Sequence, residues 1–207
     1  MTKHNLIIGA GGHGKVIADI LQCQGMSVMG FLDDNPVMIG TTVFDLPVLG
    51  AIDTWRDFEP DGVIIGIGDN HVRSAVAHRL GQDITPPWLT AVHPRSTVAK
   101  SVRIGVGTVV MAGAIINADT VIGQHAIINT AATVDHDCIL GNFVHIAPGA
   151  HLAGDIHIDE GALLGIGSVV IPGRKIGKGA IIGAGAVVIS DVPPGVMAKG
   201  LPAVWNQ

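Results

Sequence analysis

A histidine between two aspartates, Asp135-His136-Asp137, is the group of side chains in this chain that is best suited to acid–base chemistry. An imidazole titrates near neutral pH, so it can accept a proton from a substrate and release it again. A carboxylate beside the ring can fix its tautomer and stabilise the imidazolium that forms. Residue types alone leave two interpretations open, because an exposed histidine is also a common surface residue.

A second group that could do chemistry is the glycine motif Gly9-x-Gly11-x-x-Gly14, which lies between a predicted strand at 5–8 and a predicted helix at 16–24. Its glycines would let the backbone approach a diphosphate, and the helix N-terminus adds partial positive charge. A turn that only packs the strand against the helix is the structural alternative.

Two acidic residues follow the next predicted strand, at the position where a nucleotide-binding motif of this kind requires an acid. Asp33 and Asp34 follow the predicted strand at 27–32, where a Rossmann-type acid binds ribose. Only about 85 residues precede the repeats described next, too few for a full dinucleotide fold with a substrate domain. The motif therefore favours a smaller nucleotide-diphosphate site over an NAD site.

The spacing of aliphatic residues predicts the element that carries the histidine. From Val92 to Val188 every sixth residue is Val, Ile or Leu, at seventeen positions without a break. A period of six fits neither an α-helix nor a simple strand, and it is typical of a parallel β-helix, whose turns repeat the same inward side chain. The fourth residue after each aliphatic is small or apolar, except at Arg174. Glycine often follows the aliphatic, as in Ile104-Gly105, where we expect a corner that needs a permissive backbone.

This frame assigns directions to the reactive side chains. His136 is the third residue of its hexapeptide and is predicted to point away from the interior, whereas Cys138 is at the inward position. A covalent acyl-cysteine step is therefore not expected. Three histidines each take the last place of a hexapeptide, and six-residue spacing puts them on three different faces, where they cannot form one metal site within a chain. They are His145, His151 and His157.

Strands and helices alternate before the repeats, which predicts a parallel sheet. A third strand is predicted at 62–67, with a short helix at 53–58 and a longer one at 71–80; the stretch at 43–49 is apolar but irregular. The breaker Thr85-Pro86-Pro87 suggests two domains, at 1–85 and 86–207. We expect the coils to end at Pro193-Pro194-Gly195, leaving a short tail.

Composition excludes several function classes. The net charge is −5 and no Lys/Arg cluster is present, which argues against a nucleic-acid partner. Apolar runs are too short and too rich in glycine to span a bilayer, and the first residues do not resemble a signal peptide. Cys23 and Cys138 follow no metal or redox spacing. We expect a cytoplasmic protein with reduced thiols, no bound metal and no membrane partner.

Four segments together resemble one family. The first three lie in the N-terminal part of the chain and the fourth contains His136. They are Ile8-Gly9-Ala10-Gly11-Gly12-His13-Gly14-Lys15, Phe31-Leu32-Asp33-Asp34-Asn35, Ile65-Gly66-Ile67-Gly68-Asp69-Asn70 and Asn129-Thr-x-x-x-Val134-x-His136-Asp137-Cys138. Together with the hexapeptide repeats, these segments resemble those of bacterial nucleotide-aminosugar N-acetyltransferases, which act on UDP-4-amino-sugars and GDP-perosamine. The resemblance covers nearly the whole chain. It implies a small α/β Rossmann-like βαβαβ domain that binds the nucleotide sugar, followed by a left-handed parallel β-helix.

The resemblance also implies a reaction. Acetyl-CoA would be the co-substrate, and its acetyl group would pass directly to the 4-amino group of a UDP- or GDP-linked amino-deoxysugar. His136 matches the family's catalytic base and Asp137 its acidic partner, with Asp135 as the alternative acid. Hexapeptide transferases resemble one another in being trimers, so we expect a homotrimer with sites between adjacent coils, where a second subunit excludes water.

Further residues are carried over by position. The candidate contacts of the nucleotide sugar are Gly11, Gly12, His13, Asp33, Asp34 and Gly68. Asn129 matches a position close to the base, where it would orient His136 or the substrate. The candidate contacts of acetyl-CoA are His145, Gly154, Ile166 and Ala184. Gly154, eighteen residues after His136, would donate its N–H to the oxyanion or pack closely at the thioester.

Three other functions are left open. A sialic-acid-type O-acetyltransferase belongs to the related branch. A γ-class carbonic anhydrase is also a left-handed β-helix, but it needs three histidines that meet around zinc, and the separations of His136, His145 and His151 do not match that pattern. A non-catalytic scaffold that binds nucleotide sugars would not need the His136-Asp137 pair.

Overall fold

The computed structural model describes residues 4–81 and 84–205, and the chain divides into two compact units with the boundary between Pro94 and Arg95. The sequence predicted a division at residue 85 into a nucleotide-sugar-binding part and an acetyltransferase part. The assignment of those two functions to the two parts stays a prediction.

The N-terminal unit contains a five-stranded sheet. Its strands are β1 (His4–Ile8), β2 (Ser27–Leu32), β3 (Thr42–Val43), β4 (Leu46–Gly50) and β5 (Gly62–Ile65). The sheet order is β3-β4-β2-β1-β5; β1 pairs in parallel with β2 and β5, and β2 with β4. The predicted parallel sheet is confirmed. The stretch expected to be irregular holds a short hairpin, in which β3 runs antiparallel to β4.

Three helical segments accompany this sheet: α1 (Gly12–Cys23), a 3-10 helix (Ile52–Phe58) and α2 (Asn70–Leu80). The predicted start of α1 at residue 16 was wrong, because the last glycine of the motif lies inside the helix. A side chain on Gly14 would collide with the carbonyl oxygen of Gly9. Glycine is therefore required there for the approach of α1 to the end of β1.

The C-terminal unit is a left-handed parallel β-helix, as predicted. Its strands have two residues each and stack into three sheets, which we call faces A, B and C. Face A comprises Thr97–Val98, Ile115–Ile116, Thr133–Val134, His151–Leu152, Val169–Val170 and Val187–Val188. Face B comprises Arg103–Ile104, Val121–Ile122, Ile139–Leu140, His157–Ile158 and Lys175–Ile176. Face C comprises Val109–Val110, Ile127–Ile128, His145–Ile146, Leu163–Leu164, Ile181–Ile182 and Met197–Ala198. One more short strand, Ala91–Val92, lies at the end of the N-terminal unit.

The second residue of each strand is the repeating aliphatic, and it is buried in every strand from Val109–Val110 to Val187–Val188. Neighbouring coils pair eighteen residues apart, as Val134 does with Leu152. Burial of such a side chain contributes about 1.5–3 kcal/mol. The column of aliphatic residues therefore supplies the core that holds the coils together.

The corners differ from the expectation. The left-handed backbone falls on the third residue after each aliphatic, at every sixth position from Gly107 to Gly185, and the glycine that directly follows the aliphatic does not have it. The glycine that directly follows the aliphatic is needed for a different reason, because the next coil leaves no room for a side chain there. A Cβ on Gly123 would lie 2.6 Å from the backbone nitrogen of Asn142 in that coil. The non-glycine residues at left-handed corners include Asp137, with φ of +59°.

The predicted end of the coils at Pro193-Pro194-Gly195 was also wrong. Met197–Ala198 adds a further strand to face C, and Ile182 pairs there with Ala198, sixteen residues on rather than eighteen. The last turn is two residues shorter than the others, so the period of six is lost although the spiral continues.

Candidate functional site

His136 lies at a corner of the β-helix, two residues after the strand Thr133–Val134. Its side chain is 59% exposed, which confirms that it points away from the packed interior. The backbone on either side is fixed by neighbouring coils, since Asp137 donates its N–H to Ala118 and Asp155 donates its N–H to the carbonyl of His136. The imidazole is therefore a surface group on a rigid support.

Asp137 is the carboxylate that contacts the ring. Its Oδ2 lies 2.7 Å from Nδ1 of His136, and this hydrogen bond is the largest cause of a raised pKa for His136. The charges of Asp135 and Asp155 raise that pKa further. With the Nδ1 proton directed at Asp137, Nε2 is the nitrogen that can accept a proton from outside.

Asp135 has a different position. Its Oδ1 accepts the backbone N–H of His136 at 2.8 Å and the side-chain amide of Asn117 at 2.8 Å. The hydrogen bond from Asn117 is the main reason that the pKa of Asp135 is lowered. The two aspartates that the sequence left as alternatives thus differ in geometry, since Asp137 contacts the imidazole and Asp135 holds the backbone.

Gly154 lies against the ring, one coil after His136. A Cβ placed on Gly154 would be 2.6 Å from Cε1 and 2.6 Å from Nε2 of the imidazole. Any side chain at this position would displace the ring, so the absence of one is a condition of the observed geometry.

Cys138 is buried at the inward position, as predicted. Its Sγ lies 3.3 Å from the carbonyl oxygen of Ala153, and burial raises the pKa of the thiol. A buried, protonated thiol is a poor nucleophile.

The candidate acetyl-CoA contacts lie on other parts of the β-helix. His145 is on face C, and its Nε2 is 3.0 Å from the side-chain amide nitrogen of Asn129. Asn129 thus contacts a candidate acetyl-CoA residue, and its role in orienting His136 or the substrate stays a prediction. Ile166 is exposed, and Ala184 is exposed at the equivalent corner of the next coil.

A pocket in the N-terminal unit contains the candidate nucleotide contacts. The glycine motif, the loop that follows β5 and the start of α2 line it together with both candidate acids: Gly9, Gly11, Gly12, His13, Asp33, Asp34, Ile52, Gly66, Ile67, Gly68, Val72 and Val76. All six residues carried over for the nucleotide sugar thus border one cavity. The structure brings them together from three separate segments of the chain.

The two acids at this pocket have different roles in the fold. Asp33 accepts the N–H of Ala10 at 2.8 Å and that of Asn35 at 2.9 Å, so its carboxylate fixes the glycine loop. Asp34 accepts the N–H of Ile52 at 3.0 Å and forms an ion pair with Arg79, whose Nη1 is 2.8 Å from Oδ2. The hydrogen bond from Arg79 is the main reason that the pKa of Asp34 is lowered.

Comparison with known proteins identifies the family. Residues 6–80 match the model of the PglD N-terminal domain. PerB from Caulobacter crescentus, solved with CoA and GDP-perosamine, is 41% identical with a TM-score of 0.92, and the alignment covers 100% of this chain and 99% of that one. The acetyltransferase domain of PglB from Neisseria gonorrhoeae, solved with acetyl coenzyme A, is 36% identical with a TM-score of 0.92 and full coverage of both chains. This chain belongs to the nucleotide-aminosugar N-acetyltransferase family.

A curated relative in this N-acetyltransferase family is UDP-N-acetylbacillosamine N-acetyltransferase of Bacillus subtilis (strain 168). It is 41% identical over 113 residues, which are 53% of this chain and 52% of the relative. The chain therefore spans about half the length of this curated relative. Among the residues that the structure describes, no helix is long and apolar enough to cross a bilayer.

Three histidines of the β-helix lie on three different faces. His145, His151 and His157 lie on faces C, A and B, as predicted. Across residues 4–81 and 84–205, one group of three potential ligands is close together: Asp19, Cys23 and His93 lie with one ligand atom each within 4.8 Å of the others. That group is in the N-terminal unit and includes none of the residues that line the pocket.

Sequence reasoning missed the two arginines of α2. Arg79 pairs with Asp34 and also donates from Nε to Asp53 at 2.7 Å, and Arg73 contacts the loop after β5. The helix was predicted, but its orientation on the sheet was not, so nothing indicated which of its faces meets the pocket. The six-residue step from Arg73 to Arg79 is not a helical contact spacing and gives no signal by itself.

Proposed function

We propose that this protein is an acetyl-CoA-dependent N-acetyltransferase that acts on the 4-amino group of a UDP- or GDP-linked amino-deoxysugar. The observation that carries the proposal is the Asp137–His136 pair held against Gly154, in a chain of this family. It is supported by PerB, solved with CoA and GDP-perosamine, and by the PglB domain, solved with acetyl coenzyme A.

The proposed chemistry is direct transfer. Nε2 of His136 removes a proton as the sugar amine attacks the thioester carbonyl, while Asp137 stabilises the imidazolium through Nδ1. The tetrahedral intermediate then collapses, the C–S bond breaks, and the proton passes from the imidazolium to the departing CoA sulfur. The products are an N-acetylated sugar and free CoA. The backbone N–H of Gly154 is our candidate donor to the oxyanion.

Burial of Cys138 supports direct transfer over a covalent route. An acyl-cysteine intermediate needs an accessible thiolate, whereas this thiol is buried and its raised pKa keeps it protonated at neutral pH. The sugar amine and the thioester must therefore meet in one ternary complex.

The substrates would occupy different parts of the chain. We assign the nucleotide to the pocket between the glycine motif and the loop after β5, and acetyl-CoA to the coils near His145, Gly154, Ile166 and Ala184.

Because His136 is exposed in a single chain, we infer a homotrimer in which a neighbouring subunit covers it. Sedimentation equilibrium should then give three times the 21.3 kDa chain mass. We also infer that the enzyme works in the cytoplasm, where acetyl-CoA and nucleotide sugars are available.

The decisive experiment is thiol release from acetyl-CoA with a panel of UDP- and GDP-linked 4-amino sugars, with product mass showing whether nitrogen or oxygen is acetylated. His136→Ala should abolish release while the protein stays folded by circular dichroism. Near-normal turnover by that variant would contradict the mechanism. Transfer to a sugar hydroxyl instead of the amine would contradict the proposed substrate class.

A further inference from the structure

Arg73 is a buried cation directly behind the loop that lines the nucleotide pocket. The residue is 1% exposed, and desolvation lowers the pKa of its guanidinium to about 10, still far above neutral pH. Burial of a charged group costs free energy, and this cost is offset only if hydrogen bonds within the protein replace those to water. Its contacts should therefore show what its burial achieves.

The guanidinium contacts the loop between β5 and α2. Nη1 donates to the carbonyl oxygens of Ile67, at 3.1 Å, and Gly68, at 2.9 Å, and Nη2 donates to the side-chain oxygen of Asn70, at 2.8 Å. The nearby carboxylate of Asp69 accepts the N–H of Val72 at the start of α2. Two successive carbonyls of the loop therefore point toward the same cation.

The planarity of the peptide bond determines what lies on the other side. In a trans peptide the N–H points opposite to the carbonyl, so the N–H groups of Gly68 and Asp69 are directed away from Arg73. Successive N–H groups on one side of a turn form a concave site for anions or other acceptors. Gly68 lines the pocket, and a Cβ on it would be 4.0 Å from Cβ of His13 in the first turn of α1.

We propose that Arg73 is a positioning residue for the nucleotide sugar: by holding the carbonyls of Ile67 and Gly68, it presents the N–H groups of Gly68 and Asp69 to the diphosphate of the substrate. This inference rests on the proposed function, because it requires the nucleotide to occupy this pocket. Arg73 does not contact the substrate in this scheme and acts through the backbone.

Ligands that differ only in phosphate distinguish this role from general stability. We would measure the affinity of UDP, GDP, uridine and guanosine by calorimetry for the wild type, Arg73→Met, Arg73→Lys and Leu80→Ala. Leu80 is buried at the last position of α2, at the opposite end of the helix from the loop, so Leu80→Ala should weaken the helix packing without removing a hydrogen bond to the carbonyls. Arg73→Met should weaken binding of the preferred nucleoside diphosphate about tenfold or more and change nucleoside binding less than about twofold.

Arg73→Lys tests geometry against charge. A lysine keeps the positive charge but cannot bind two carbonyls and an amide with a planar fork, so it should restore diphosphate affinity only in part. In turnover assays, Arg73→Met should raise KM for the nucleotide sugar and leave KM for acetyl-CoA unchanged. Full recovery with lysine would show that charge alone acts, which overturns the positioning role. Equal losses for nucleoside and diphosphate, or the same pattern in Leu80→Ala, would also overturn it.

A measurement on the wild type avoids variants that fail to fold. In nitrogen-15 spectra the amide resonances of Gly68 and Asp69 should move when UDP or GDP is added and stay in place with the nucleoside. If the protein binds a nucleoside diphosphate and these resonances do not respond, the inference on Arg73 is wrong while the proposed function stands. If neither UDP nor GDP binds, the proposed function fails and the inference fails with it.

Discussion

The ring of His136 occupies the space that a side chain on Gly154 would need, since a Cβ there would lie 2.6 Å from both Cε1 and Nε2. The two residues are eighteen positions apart and belong to successive coils of the same corner. This contact, together with the hydrogen bond from Nδ1 to Asp137, leaves the ring little freedom to rotate. The orientation of the imidazole is therefore a property of the spiral and not of His136 alone.

Replacement of Gly154 by alanine should lower kcat by about 10²-fold, because a misplacement of the base by 1 Å costs that much in an aligned reaction. Gly154 is not among the positions with a left-handed backbone, so the added methyl should disturb the ring more than the fold. Steady-state kinetics and thermal unfolding of the same preparation would check this. The control is Gly179→Ala, at a left-handed corner with open space around it, which should lose stability but keep kcat. Unchanged kcat in Gly154→Ala would contradict the assigned base.

Replacement of Asp137 by asparagine should move the acid limb of the pH–rate profile to lower pH. The carboxylate raises the pKa of His136, and the base works only when neutral, so wild-type activity falls as the pH drops below that raised pKa. Without the charge the ring stays neutral to lower pH, although kcat at the plateau should fall by about 10²-fold because the imidazolium loses its partner. The control Asp135→Asn removes a charge that is not hydrogen-bonded to the ring and keeps an amide oxygen that can accept the backbone N–H of His136, so it should shift the limb less. An equal or larger shift in the control would mean that Asp137 is not the main partner.

The period of six was sufficient to predict the spiral, because each hexapeptide, one side of a coil, repeats one inward aliphatic and one small residue. It could not predict the last strand, Met197–Ala198, since a turn two residues shorter changes the register without disturbing the packing. It also assigned the corner to the wrong glycine. Sequence shows where glycine occurs, but only the backbone shows whether a position needs a left-handed φ or needs space for the next coil.

At the site, sequence reasoning placed His136 outward and Cys138 inward, because both directions follow from position in the hexapeptide. It left Asp135 and Asp137 as alternatives, since both flank the histidine and their difference lies in side-chain geometry. Arg73 and Arg79 were missed for another reason. The contacts of Arg73 depend on how α2 lies against the loop after β5, and those of Arg79 on how α2 lies against Asp34 and Asp53. The periodicity of the helix predicts neither.

Replacement of Cys138 by alanine should leave kcat within about threefold of the wild type, because the thiol is buried and protonated and takes no part in transfer. Loss of the buried sulfur should cost about 1 kcal/mol of stability. Intact-mass spectrometry after mixing with acetyl-CoA should find no acetylated enzyme, and Cys23→Ala, at an exposed thiol, is the matched control. An acetyl adduct that disappears with Cys138 and not with Cys23 would establish a covalent route and refute direct transfer.

Replacement of Asp34 by asparagine should raise KM for the nucleotide sugar by about tenfold and leave KM for acetyl-CoA unchanged, because Asp34 borders the nucleotide pocket. The effect on folding should be small, since its ion pair with Arg79 is partly exposed and such pairs contribute about 0–1 kcal/mol. Asp53→Asn is the matched control. Asp53 binds Nε of the same arginine but is not among the residues that line the pocket, so its loss should leave both KM values close to wild type. If the two variants raised KM equally, the ion-pair network as a whole would control binding, and Asp34 would have no contact of its own with the substrate.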